Sequence, residues 1–232
     1  MQTDGKLISV VIPVFNEEPT VGNVIRRLKT VLQQTGLSYE IIVVDDCSRD
    51  KSREVAKSQG VAVFALKQHM GKGYALRAGF AAAKGGIVAT IDSDGSHRPE
   101  ELTQLLDPVL RGEADLVIGS RFSNGKAVYA RRLNAVGNRL FNRLIHALLG
   151  HPITDSQSGY RVMTRNVLRT MRLRSGEYEI ESEMLVKTAR RGFRIKEVPI
   201  SFEQRTYGTS HVDPMRDGLK ILFSILSAYM RS

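Results

Sequence analysis

Short apolar, β-branched runs alternate with amphipathic stretches along the first half of the chain. Leu7–Phe15 (LISVVIPVF), Tyr39–Val44 (YEIIVV), Val61–Leu66, Ile87–Ile91 and Ala114–Gly119 each end in polar or turn residues, the pattern of strands buried in a parallel sheet. After the first run, Pro19 marks a helix start, and Val21, Val24, Ile25, Leu28, Val31 and Leu32 recur on one helical face. Asp50 caps a second predicted helix running through Ala56, a third spans Tyr74 to Lys84, and a fourth spans Pro99 to Leu110. Strands and helices in alternation, joined by short connections, predict an α/β fold with a mostly parallel central sheet flanked by helices. Further on, Leu133–Leu149 is amphipathic, and Glu181–Leu185 lies in a helix leading into a strand over Phe193–Phe202. Asp213 and Pro214 open a C-terminal amphipathic helix that reaches Met230. With 232 residues, 42% of them hydrophobic, the chain can bury one substantial core, so residues 1–212 are expected to form one domain and 213–232 the C-terminal helix.

Composition narrows the setting. No apolar run approaches the roughly 20 residues of a bilayer span, and Met1–Lys6 is polar rather than signal-like, so a cytosolic or peripheral protein is expected. The lone cysteine, Cys47, excludes an internal disulfide and a cysteine-based zinc cluster. A net charge of +10, with Arg and Lys concentrated between Arg121 and Arg205, suits a nucleic acid, an anionic membrane or a phosphorylated substrate. Neither zinc-finger spacing nor an RNP-like aromatic strand is present, so nucleic acid has no specific feature beyond charge.

The densest chemistry lies in Ile87–Glu101 (IVATIDSDGSHRPEE). Its apolar run delivers Asp92 and Asp94 to a strand end, and Gly95 lets the backbone turn so that the two carboxylates converge. Two readings are open: a hard-metal site for Mg²⁺ or Mn²⁺, completed by substrate phosphate oxygens, or a D-x-D turn capping the next helix. His97 adds a candidate nitrogen ligand or proton donor. Ligands of such sheets bind beyond the strand carboxyl ends, which selects Pro13–Glu17, Asp45, Asp46, Asp92, Asp94 and Gly119–Arg121 as one crevice. Gly71-Lys72-Gly73 lacks the full P-loop pattern and reads as a loop leading into a helix.

The set SVVIPVFNEE, IIVVDDCSRD, GKGYALRAGF, IDSDGSHRPEEL and VIGSRF, followed by DSQSGYRVMTR and RTYGTSH, covers nearly the whole chain. It resembles the catalytic domain of family 2 glycosyltransferases with the GT-A fold, most closely the dolichyl-phosphate mannose synthase branch. The resemblance implies a metal-dependent, inverting transfer of a sugar onto a polyprenyl or dolichyl phosphate. The expected donor is GDP-mannose, with UDP-glucose or UDP-N-acetylglucosamine as the alternative. It further implies that Pro13, Phe15, Glu17 and Asp45, joined by Asp46 and Ser93, bind the nucleotide-sugar, while Asp92 and Asp94 hold Mg²⁺ or Mn²⁺ against the diphosphate. Ser96 stands where many members carry Gln; it is kept as a candidate that reaches a metal-bound water or phosphate. Gly208-Thr209-Ser210-His211 ends in histidine where many members carry lysine.

A phosphate monoester is largely dianionic near neutrality, its second pKa being about 6, so the acceptor needs cations to position it rather than a strong base. Arg121, Arg131 and Arg205, with Ser210 and His211, are the acceptor-phosphate candidates. Asp155 either orients a sugar hydroxyl or anchors its own loop. Glu181 and Glu183 are expected to close the acceptor side or pair with its arginines. The stripe on Leu133–Leu149 is either core or a membrane-facing surface with Arg139 and Arg143, and the C-terminal helix poses the same choice. The expected setting is peripheral, at the cytoplasmic face of a membrane, with room for a membrane-anchoring partner protein. A non-catalytic nucleotide- or nucleic-acid-binding module is the rival from another class, and an acidic crevice speaks against it.

Overall fold

The computed structural model describes residues 7–122, 132–150, 152–203, 207 and 214–230. Strands β1 (Ile8–Val14), β2 (Tyr39–Asp45), β3 (Ala62–Ala65), β4 (Ile87–Thr90), β5 (Leu116–Ser120), β6 (Arg161–Thr164) and β7 (Ile195–Pro199) form one sheet in the order β3-β2-β1-β4-β6-β5-β7. β6 runs antiparallel to both neighbours and the other pairings are parallel. The helices are α1 (Glu18–Gln34), α2 (Ser52–Ser58), α3 (Lys72–Ala82), α4 (Leu102–Leu110), α5 (Arg132–Leu149), α6 (Arg165–Thr170), α7 (Ile180–Arg190) and α8 (Pro214–Met230). A single 3₁₀ turn, Pro99–Glu101, precedes α4. This is the α/β architecture, with a mostly parallel sheet flanked by helices, expected from the alternation of runs.

Every residue of β1 is buried, because the sheet is covered on both faces. Ile8, Val10, Ile12 and Val14 point into a core shared with α1, α2 and α4, whereas Val11 joins a second core built with α3 and α5–α8. Pro13 is tolerated in so central a strand because pairing with β4 has already ended at Val11 opposite Thr90. α8 buries Ile221, Ile225 and Ala228 in the second core and packs against α7 and α5.

Topology fixes where the crevice lies. From β1 the chain builds outward through β2 and β3, then crosses back to place β4 on the other side of β1. The carboxyl ends of β1 and β4 therefore flank a switch point, where α/β sheets bind ligands. Antiparallel β6 begins beside the end of β4, with Arg161 opposite Thr90, so the loop before β6 is delivered into the same crevice.

Some boundaries differ from expectation. α3 starts at Lys72 rather than Tyr74, and β7 stops at Pro199, with Phe202 making one isolated bridge to His97. β6 and α6 were not predicted. Four residues with an arginine at the first carry too little pattern to show as a strand.

Candidate functional site

The turns after β1 and β2 are tied together. Asn16 and Cys47, at φ 54° and 62°, are the non-glycine residues with left-handed backbones among those described. The Asn16 amide donates to Ser48 Oγ (2.9 Å), the Arg49 amide to Asn16 Oδ1 (2.8 Å), and the Glu17 amide to Ser52 Oγ (2.7 Å). Asp50 takes the Ser52 and Glu18 amides, so it holds the starts of both α2 and α1. Glu17 is buried and accepts from Thr20 Oγ1 (3.0 Å). Asp45, fully buried, accepts from the Ser48 amide and lies 3.2 Å from Arg53 Nε. Asp46 is occupied by the loop ahead of α3, accepting the Met70 and Gly71 amides (2.8 and 2.7 Å) beside His69 Nδ1 at 2.9 Å. The His69 ring stacks on Phe15, centroids 3.9 Å apart. Ser93 donates to the Pro13 carbonyl (2.9 Å) and so fastens the β4 turn to β1.

At the end of β4 sits a buried charge cluster. Lys72 Nζ lies 2.7 Å from Asp92 Oδ1 and 2.8 Å from Glu181 Oε1, with Glu181 presented by the first turn of α7. Burial opposes the ammonium, but the two carboxylates outweigh it and raise the Lys72 pKa. Burial likewise opposes the Asp92 carboxylate, and Lys72 and His97 overcome it, so its pKa is lowered. His97 Nε2 is 3.7 Å from Asp92 Oδ2, its ring enclosed by Tyr160 and Phe202 and its Nδ1 buried without a partner. Gly159 packs closely on the cluster: a Cβ there would stand 2.6 Å from Asp92 Oδ2 and 2.8 Å from Lys72 Nζ, so these side-chain ends would have to shift. Arg161, wholly buried, donates to the Ser156, Ser158 and Glu181 carbonyls and so joins the loop before β6 to α7; burial lowers its pKa to about 10.

Asp94 follows on the turn that Gly95 makes at φ +76°. Its Oδ1 accepts from the Ser96 amide (3.0 Å) and hydroxyl (2.6 Å), which gives Ser96 an observed part as the holder of Asp94. Asp94 lines a cleft of about 250 Å³ with Thr20, Asn23, Arg27, Glu203 and Tyr207. Among the described residues, no three His, Cys, Asp or Glu side chains gather as a ready-made metal site. Oxygen donors on one or two carboxylates nevertheless fit a hard cation such as Mg²⁺ or Mn²⁺, whose shell is normally finished by water and substrate phosphate.

On the other flank, Arg121 grips Asp155 through Nε (2.6 Å) and Nη2 (2.8 Å), and the Arg121 amide donates to the same carboxylate (3.1 Å). Burial disfavours the guanidinium charge, but Asp155 more than compensates and raises its pKa, with Asp92 and Glu181 adding to the effect. Asp155 therefore anchors this arginine, and Glu197 in turn accepts from the Asp155 amide (2.8 Å). Glu183 does not face the crevice arginines: it pairs with Lys187 and takes the Arg174 and Ser175 amides. Arg131, Arg205, Ser210 and His211 lie outside the described residues.

Sequence reasoning brought the acidic residues of the crevice together but missed Lys72 as their cation. The signal was present: a lysine between two glycines, at a helix start that points to the strand carboxyl ends.

Residues 9–172 match the family model for Glycosyl transferase family 2. A dolichyl-phosphate hexose transferase of Haloferax volcanii is 32% identical over 219 residues, covering 94% of this chain and 92% of that one. The UDP-N-acetylglucosamine–dolichyl-phosphate N-acetylglucosaminyltransferase of Methanococcus voltae is 30% identical, with 97% of each chain covered. The glucosyl-3-phosphoglycerate synthase of Mycobacterium tuberculosis, solved with Mn²⁺, UDP and phosphoglyceric acid, superposes with a TM-score of 0.78 at 27% identity, covering 97% of this chain and 79% of that one. It has also been solved with Mg²⁺ and UDP.

Proposed function

The chain belongs to glycosyltransferase family 2, and from that premise we propose that it moves a hexose from a nucleotide-sugar onto a polyprenyl phosphate, with inversion at the anomeric carbon. The observation that carries this reading is that the Asp92–Asp94 turn after β4 and Arg121 after β5, locked by Asp155, lie at strand carboxyl ends of one sheet, with Asp92 close enough to help hold the arginine's charge. Full-length likeness to a dolichyl-phosphate hexose transferase supports the acceptor class.

The geometry and the motif resemblance support the following roles. Phe15, Glu17 and Asp45, on the linked β1 and β2 turns beside Pro13, are assigned to the nucleoside, with Asp46 holding the loop that brings His69 onto Phe15. Asp94, steadied by Ser96, and Asp92 would hold Mg²⁺ or Mn²⁺, which when bound neutralises the diphosphate and stabilises its departure. Lys72 keeps Asp92 ionised and fixed in direction. Asp155 engages Nε and Nη2 of Arg121, and the remaining guanidinium N–H groups are assigned to the acceptor phosphate. Arg131, Arg205, Ser210 and His211 are assigned to the same phosphate. No strong base is required of the protein, because the acceptor arrives as a dianion. The setting proposed is peripheral, at the cytoplasmic face of a membrane.

GDP-mannose is the donor assigned first, on the motif resemblance. A UDP-hexose is the second reading, favoured by the UDP-sugar named for the Methanococcus voltae relative and the UDP bound in the mycobacterial structure. A screen of labelled donors with Mn²⁺ or Mg²⁺ and a short polyprenyl phosphate decides: label entering the organic phase from GDP-mannose supports the first reading, and label from a UDP-sugar the second. No transfer from any donor removes the proposed reaction.

A further inference from the structure

Away from the crevice, α3, α6 and the segment after α6 enclose an open cavity of about 480 Å³. Arg77, Arg165, Arg169 and Arg172 line it above apolar side chains that include Phe80 and Leu168, and no acidic residue contributes to the lining. Arg77 is fixed by the Arg174 carbonyl (3.2 Å) and the face of Tyr74, and Arg165 by the Ala83 carbonyl (2.5 Å). Arg169 and Arg172 are exposed. Among the described residues, none of the four is ion-paired with a carboxylate. Four gathered cations repel one another, and an anion among them relieves that repulsion. The apolar floor selects an anion that carries hydrocarbon. Phe80 is eight residues beyond Lys72 on α3, about 12 Å along the helix axis, so this cavity is separate from the crevice.

The surroundings indicate the form in which such an anion comes. The segment between α6 and α7 is tied to α8, through Ser175 Oγ and Ser224 Oγ (3.2 Å) and through Glu177 and Lys220. α8 leaves Leu219, Phe223 and Met230 exposed at 68%, 72% and 75%. α3, α6 and α8 all cover the same face of the sheet, opposite α1, α2 and α4. Unpaired arginines and exposed apolar side chains on one layer are complementary to an anionic bilayer. We propose that this layer docks on the membrane, α8 meeting the acyl boundary while the arginine-lined cavity takes the phosphate headgroup of an anionic phospholipid. The inference rests on the lipid-linked acceptor proposed above and adds a lipid site distinct from the acceptor's.

The test is flotation of the full chain with phosphatidylcholine vesicles, with and without phosphatidylglycerol, for the wild type and R169Q/R172Q. Each basic residue near an anionic surface contributes about a factor of five, so the double variant should lose roughly 30-fold of its partition onto phosphatidylglycerol vesicles. R26Q/K57Q, on the opposite layer, should change it by less than about twofold. Equal loss in both double variants would reduce the effect to general charge and overturn the site, as would wild-type binding by R169Q/R172Q or no preference for phosphatidylglycerol. Displacement from vesicles by millimolar glycerol phosphate would assign the cavity to a soluble phosphate and overturn the lipid. R169Q/R172Q should retain transfer to a short, soluble acceptor. A wild type that transfers nothing, yet loses vesicle binding on R169Q/R172Q, would overturn the proposed reaction and uphold the cavity.

Discussion

Replacing Lys72 with methionine keeps the length of the side chain and removes its charge, leaving Asp92 and Glu181 facing each other without a cation. Their oxygens lie 2.7 and 2.8 Å from Nζ, and the Glu181 side chain is 3% exposed against 25% for Asp92. Breaking a buried ion pair typically costs about 3–5 kcal/mol; water reaches Asp92, which places the expected loss near the lower end, about 3 kcal/mol. The pH dependence gives an independent check. In the wild type the lowered Asp92 pKa makes its contribution complete above the unfolded value of 3.8, and it is lost only as pH falls below that. The raised Lys72 pKa makes its contribution complete below 10.5. Both contributions are therefore whole in the wild type at about pH 5 and at about pH 8, so the K72M penalty should be of similar size at the two values. Urea midpoints at the two pH values measure this, with K72M/E181Q alongside, which should recover most of the loss by removing the stranded charge. A K72M penalty below about 1 kcal/mol at both pH values, or no recovery in the double variant, would refute the buried cluster as the source of stability.

Asp94→Asn should abolish Mn²⁺-dependent nucleotide binding by calorimetry and lower transfer by about 100-fold or more, while the melting temperature stays nearly unchanged; retained metal-dependent binding would exclude Asp94 as a ligand. Ser96→Ala removes the 2.6 Å hydroxyl bond to Asp94, and since hydrogen bonds to charged groups contribute about 1.5–3 kcal/mol, the apparent metal affinity should weaken roughly 10-fold with little change in kcat at saturating metal. Gly159→Ala forces a methyl group to within 2.6 Å of Asp92, and is expected to cost about 1–3 kcal/mol in urea unfolding and to lower activity by displacing that carboxylate. Asp155→Asn leaves Arg121 buried without its counter-charge; about 3 kcal/mol of stability should go, and KM for the acceptor phosphate should rise, whereas an unchanged KM would separate Arg121 from acceptor binding.

The sheet was legible because its central strands are buried on both faces and so appear as unbroken apolar runs, as in Ile8–Val14. The acidic crevice was legible because strand carboxyl ends are a topological address, and Asp45, Asp46, Asp92 and Asp94 all follow such runs. What stayed hidden was pairing between distant parts of the chain. Nothing local links Lys72 to Glu181, or Arg121 to Asp155; both contacts depend on antiparallel β6 and on α7, elements whose short or mixed sequences give no clear period. Asp155 illustrates the limit: its loop was singled out, but the partner that decides between a sugar contact and an anchor lies 34 residues away.

These pairings also change what the net charge of +10 means. Asp45 is met by Arg53, Asp92 by Lys72 and Asp155 by Arg121, so the crevice carries its own cations at fixed places rather than drawing on a diffuse basic field. A surface that bound a nucleic acid through charge would spread its arginines outward and keep carboxylates away from them. Here each of these acids is held by a cation at a fixed place, Lys72 serving both Asp92 and Glu181, which suits a site that positions phosphorylated substrates. The uncompensated arginines, Arg169 and Arg172 among them, lie instead on the layer that carries the exposed side of α8. Exposed arginines beside the apolar side of α8 fit the membrane-facing layer proposed above, while the cations of the crevice stay fixed on their carboxylates.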